Sequence, residues 1–283
     1  MILEFIFFYK FPILAGITAG ILLALAGVFV VLRKTSLFGI TMSQAAGTSV
    51  LLSLTAGFQS EIFIMILTSA LMLPFFIITG RNTKYSGAIL TGGFVFFTSL
   101  GHLLTAAGAN ITNHISRAFF GDILTVSDQE WTDLALPLLV VFPVFFYILP
   151  YLKIVTFDRD EAVIGGINAG FVEGVFFILL VYILSISIRL FGSLFSIAQM
   201  ILPALAVLYF SSGVNRALIF AAVFSTAGTI AGFLISFYPV EIGGNTFNFP
   251  TSSAIILALA AGVAFIHGLQ FTVRLWKNRY SQH

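Results

Sequence analysis

A chain of 283 residues with 59% hydrophobic and only 8% charged side chains cannot cover a water-soluble surface, since soluble domains carry about 25% charged residues. The net charge of +2 gives no reason to expect nucleic acid as a partner, and the absence of cysteine excludes a disulfide framework, a thiolate metal site and a cysteine nucleophile. With a mean hydropathy of +1.08 and no Pro-rich or low-complexity linker, residues 1–283 read as one all-α, polytopic transmembrane domain.

A helix needs about 20 mostly apolar residues to cross the hydrocarbon core. Such runs predict about nine transmembrane helices, near 12–32, 42–58, 61–80, 87–107, 131–151, 170–190, 194–210, 217–237 and 251–271. The first run is too long for a cleaved leader, and its flank carries Glu4 as well as Lys10. The second and seventh are short, and Pro203 in the seventh predicts a broken or half-spanning helix. Residues 108–130 form the longest connection, in which Ile115–Phe120 has the pattern of a short interfacial or re-entrant helix; residues 238–250 form a Gly- and Asn-rich loop.

Basic residues set the expected orientation. With the N-terminus outside and nine spans alternating, Arg33, Lys34, Arg81, Lys84, Lys153, Arg159, Arg216, Arg274, Lys277 and Arg279 fall inside, and only Lys10, Arg117 and Arg189 fall outside. An N-out, C-in topology is therefore expected. Glycines four apart, at Gly16 and Gly20, at Gly228 and Gly232, and at Gly166, Gly170 and Gly174, have the spacing that lets membrane helices approach closely.

Polar groups at membrane depth are costly and mark candidate sites. Gln44 and Thr48 lie four apart and share a face of the second helix, while Ser43 points elsewhere. Gln199 precedes Pro203 by four residues, so the proline frees the Gln199 carbonyl beside a side-chain amide. His102, toward the outer end of the fourth span, is a candidate metal ligand. Gln44, Thr48, His102 and Gln199 are thus the candidate transport path. Each also has a structural reading as an interhelical hydrogen-bonding residue. His114, His267 and His283 are too scattered for a cluster. Glu173, entering the sixth span, pairs with a basic residue or reaches the interface, and no transport role is assigned to it. No P-loop motif, H-E-x-x-H or G-x-S-x-G occurs, so nothing indicates an enzyme or an ATP site within the chain.

The most charged stretch is Phe157–Ile167, between the fifth and sixth spans. Asp158 can cap a short helix over Arg159–Ile164, with acids in its first turn and Gly165–Gly166 ending it. Its pattern of Phe157-Asp158, an acid at Asp160, Ala162 and Gly166-Ile167 resembles a loop of the permease subunits of metal-type (zinc, manganese, iron) ABC importers. Further matches follow in family order from about residue 12 to 270. They are Gly27–Lys34 with Ser36-Leu37-Phe38-Gly39, Phe120-Gly121-Asp122-Ile123-Leu124, Gly192 through Ile201-Leu202-Pro203-Ala204, and Pro250–Leu257.

The resemblance implies a permease of a prokaryotic cell (inner) membrane that binds no cofactor itself. A separate ABC ATPase on the cytoplasmic side uses the ATP, a solute-binding protein delivers cargo outside, and a second permease copy or paralogue completes the path. Residues 157–167 would be the coupling helix, with Asp158, Asp160, Ala162 and Gly166 at its key positions. The family's Asp and His at i and i+4 after the Ser-Leu-x-Gly junction are here Ile40 and Gln44. Isoleucine ligates nothing, and a neutral amide is a weak ligand for zinc. The resemblance therefore implies ATP-driven alternating access, with a divalent metal as cargo. The alternatives are a non-metal or chelated solute on the same scaffold, or a non-conducting partner in a heteromeric permease.

Overall fold

The computed structural model describes residues 9–58, 60–81, 84–107, 123, 128–208, 210–237, 240–242, 245–247 and 249–280. Its helices are α1 (Lys10–Leu32), α2 (Ser36–Thr55), α3 (Glu61–Arg81), α4 (Ser86–Ala107), α5 (Asp128–Phe157), α6 (Arg159–Ile164), α7 (Ala169–Phe191), α8 (Ser193–Leu208), α9 (Val214–Phe237) and α10 (Thr251–Tyr280). Eight are long and apolar enough to cross a membrane, where only a structure that satisfies its own backbone polar groups is stable. The protein is a multi-pass membrane protein of all-α class. α8, with 16 residues, falls short of that length, yet it runs through Pro203 without a break.

Two connections differ from expectation. α5 begins at Asp128, so Asp128 and Glu130 belong to a 30-residue helix rather than to a loop. The expected interfacial helix at Ile115–Phe120 lies outside the described residues. Between α9 and α10 a two-stranded antiparallel hairpin forms, β1 (Val240–Ile242) and β2 (Asn245–Phe247), with Val240 opposite Phe247. Ser236 and Thr251 share a 2.7 Å hydrogen bond below it, which ties the end of α9 to the start of α10.

The interior belongs to α1, α2, α7 and α8. The apolar windows of α1, α2 and α7 are 72%, 78% and 67% buried, against 17% for both α3 and α10. α2 is the least hydropathic span and the most buried. Its Thr41, Ser43, Gln44, Thr48, Ser49 and Ser53 are all buried against protein, so none of these polar groups is left to lipid. The large fillers of the core are aromatic: Phe29 of α1 meets Phe145 of α5 and Phe176 of α7 edge-on, with ring centroids 6.2 and 6.1 Å apart.

Lipid tails are as apolar as leucine, so these helices associate through close packing rather than hydrophobic exclusion. Glycine permits that approach. A methyl group at Gly27 would overlap the backbone carbonyl of Met200 in α8, and one at Gly20 would sit 2.9 Å from the Ser225 hydroxyl. Gly228 and Gly232 are filled by Leu259 and Ile255 of α10, as their spacing predicts. The third glycine series does not pack. Gly166 lies in a turn at φ 80° and Gly174 meets no neighbour.

Candidate functional site

α2 and α4 run parallel, and two threonines fix their register. Thr41 donates to the Leu90 carbonyl and Thr48 to the Phe97 carbonyl, each at 2.9 Å. Both donors and both acceptors are seven residues apart, two helical turns, so one face of α2 meets one face of α4. Gln44 lies between the two threonines. Gln44 is 7% exposed, and its Oε1 lies 3.5 Å from the Thr98 hydroxyl, the outer limit of a hydrogen bond, while that hydroxyl donates to the Phe94 carbonyl at 2.7 Å. Among the described residues the Gln44 amide nitrogen makes no hydrogen bond, so the group keeps donors in hand. Thr98 and His102 are four apart on α4. His102 stands on the exposed part of that helix. Gln44, Thr98 and His102 therefore form a polar line on the α2–α4 pair. The Thr48 hydroxyl is shared between the Phe97 carbonyl and the Gln44 carbonyl of its own helix, each at 2.9 Å, and Ser43 donates to the Ile40 carbonyl at 2.7 Å.

Gln199 is elsewhere and differently placed. It is fully buried in α8, its Oε1 accepts from Ser225 at 2.7 Å, and its Nε2 donates to Thr229 at 2.7 Å. Both ends of the amide are bonded to α9, with Gly20 of α1 packed against it. The geometry knots α1, α8 and α9 together. The signal for it in the sequence is Ser225 and Thr229 at i and i+4 on a membrane helix, one face of α9. His267 hydrogen-bonds through Nδ1 to the Val263 carbonyl of its own helix at 2.9 Å.

The segment 157–167 forms the short helix α6. The Asp158 carboxylate accepts from the backbone N–H groups of Asp160 and Glu161 at 3.0 and 2.9 Å, and Asp160 and Glu161 place negative charge in the first turn. Gly166 at φ 80° closes the far end, where the Ile167 N–H reaches the Ala162 carbonyl and the Gly166 N–H reaches that of Val163. That is a Schellman turn, which a glycine adopts without strain. Ala162 is fully buried and anchors the helix. Ile164 is 87% exposed and Phe157 69%, an apolar pair presented outward from a charged connector.

Residues 7–271 match the sequence profile of the ABC 3 transport family. The chain belongs to that family. It is 27% identical over 236 residues to the high-affinity zinc uptake system membrane protein ZnuB of Haemophilus influenzae, covering 82% of this chain and 90% of that protein. It is 25% identical over 258 residues to the manganese import system permease protein ScaB of Streptococcus gordonii, covering 89% and 88%. In fold it is similar to a chain of PsaBC from Streptococcus pneumoniae, solved in complex with Fab. The TM-score is 0.81 at 22% identity, over 94% of this chain and 95% of that one.

Proposed function

We propose that this chain is the membrane-spanning permease subunit of an ABC importer that moves a divalent metal ion, zinc, manganese or iron. The observation that carries the reading is the family match over nearly the whole length, with relatives named as zinc and manganese uptake proteins across more than four-fifths of the chain. The basic residues support an N-out, C-in orientation in a prokaryotic cell membrane. A separate ATPase then docks on the end bearing α6 and supplies the ATP hydrolysis, and a solute-binding protein delivers the ion at the opposite end. A second permease copy or paralogue stands beside the first.

Asp158, Asp160, Ala162 and Gly166 build a rigid docking knob, through which closure of the ATPases reaches the helices. The path runs along α2 and α4. Gln44 offers its amide oxygen and spare donors there, with Thr98, Thr48 and His102 beside it. Gln199 stands apart from that line and holds α8 to α9 and α1. Neutral oxygen ligands hold a divalent ion weakly, and weak binding favours release.

A specific observation favours a second reading. With Ile40 and Gln44 in place of an acid and an imidazole, the described part of α2 offers no charged ligand. A chelated or non-metal solute, hydrogen-bonded by Gln44, fits that chemistry, as does a non-conducting half of a mixed pair. The deciding experiment is metal-stimulated ATP hydrolysis and uptake by the reconstituted permease, ATPase and binding protein, titrated with zinc, manganese and iron. Stimulation by one of these ions is expected. A flat response to all three overturns metal import.

A further inference from the structure

The Glu173 carboxylate, in the second turn of α7, holds two arginines from different parts of the chain. Oε1 accepts from the Arg33 guanidinium at the end of α1, and Oε2 lies 3.6 Å from Arg159 Nε in the first turn of α6. The side chains of Glu173 and Arg33 are 20% and 18% exposed, whereas Arg159 is 60% exposed. The inner pair is thus shielded from ionic screening and the outer one is not.

Both elements joined here are stiff. α6 is capped at both ends. Arg33 caps α1 in a turn where the Thr35 N–H reaches the Val30 carbonyl and Lys34 takes φ 56°, a left-handed conformation that non-glycine residues rarely adopt. That turn leads directly into α2, and Gln44 follows eight residues after the start of α2, about 12 Å along its axis. α6 itself packs on α5 and α7. The described polar route from α6 to the α1–α2 junction runs through Glu173.

We infer that Glu173 is a positioning residue that joins the docking helix α6 to the α1–α2 junction, so that displacement of α6 moves the first turns of α2 and with them Ile40 and Gln44. This rests on the permease reading above. Glu173 touches neither cargo nor nucleotide; it acts through two guanidinium groups.

The cysteine-free chain allows a direct test. Spin labels at Leu37→Cys and Val163→Cys, both exposed positions, report the distance between α2 and α6 for the whole chain in lipid nanodiscs. A narrow distribution is expected, at least twofold broader in Glu173→Gln and in the milder Arg159→Gln, which leaves the Arg33 pair and the fold in place. Glu173→Arg broadens it too, and adding Arg33→Glu with Arg159→Glu narrows it again. In proteoliposomes with the ATPase and binding protein, Glu173→Gln keeps ATP hydrolysis within twofold while zinc or manganese uptake per ATP falls at least tenfold. Unchanged widths in both single variants overturn the inference. So does loss of hydrolysis and uptake in equal proportion. If wild type moves neither metal, the metal-import reading falls, and the label distances alone decide the link.

Discussion

The Thr98 hydroxyl lies 3.5 Å from the Gln44 side-chain oxygen, at the outer limit of a hydrogen bond, on a helix pair whose neighbouring contacts are all tighter. A buried amide this loosely held sits in contrast to Gln199, whose oxygen and nitrogen each have a 2.7 Å partner.

The two glutamines therefore respond differently to substitution. Gln44→Leu leaves thermal stability in detergent within about 1 kcal/mol of wild type, because little bonding is lost, while uptake by the reconstituted complex falls severalfold. A loss of folded protein with no loss of uptake per folded molecule contradicts this assignment.

Gln199→Leu removes one acceptor and one donor from a fully buried knot. Ser225 keeps a hydroxyl without its acceptor, at a cost of roughly 1–3 kcal/mol, softened in a membrane because the unfolded reference also finds partners. Adding Ser225→Ala recovers part of that loss. A double-mutant cycle on thermal unfolding measures the coupling.

Ile40→Asp combined with Gln44→His places an acid and an imidazole one turn apart on α2. The solubilised variant binds zinc at least tenfold more tightly than wild type by calorimetry, since zinc favours imidazole and carboxylate over a neutral amide. Tighter binding slows release, so uptake by the variant saturates at lower zinc concentration and a lower maximal rate.

Gly27→Val drives a side chain into the Met200 backbone, which cannot swing aside. Overpacking of this kind costs about 1–3 kcal/mol or more, and the expected outcome is a sharp fall in the yield of folded protein by size-exclusion chromatography. Gly174→Ala, at a position with no neighbour within 4 Å, leaves the yield unchanged.

Asp158→Ala removes two charge-assisted bonds from the start of α6, a loss of about 1 kcal/mol. On a six-residue helix that is enough for the amides of 159–164 to exchange hydrogen faster, and hydrogen-exchange mass spectrometry reads it. The transmembrane helices keep their protection.

The spans were legible because each needs a long apolar run, and the capped α6 was legible because Asp158, the acids after it and Gly165–Gly166 are all local signals. Longer-range pairing was not. The sequence suggests a basic partner for Glu173 without naming one, until the fold brings Arg33, 140 residues distant, to one side of it and Arg159 to the other. The three glycine series look alike in sequence, yet only two meet a neighbouring helix, since spacing gives a face without saying what that face meets. The hairpin at 240–247 carried a readable signal, Gly243-Gly244 between two β-prone triplets, which the Gly- and Asn-rich composition obscured.

α7 is fastened at both ends: by Glu173 near its start, and near its finish by Arg189, whose Nη1 lies 2.9 Å from Glu61 Oε1 of α3. The two fastenings are sixteen residues apart, about 24 Å along the axis. A piston stroke of α7 by one turn, about 5.4 Å, would pull one of these pairs apart, and a corkscrew turn would swing both carboxylate–guanidinium contacts out of line. Rocking about a point between them carries the two ends sideways in opposite directions, so both pairs hold only if Arg33 and Arg159 at one end and Glu61 at the other travel with the helix. The helix is thereby a lever with each end geared to a different neighbour, α1 and α6 at one and α3 at the other.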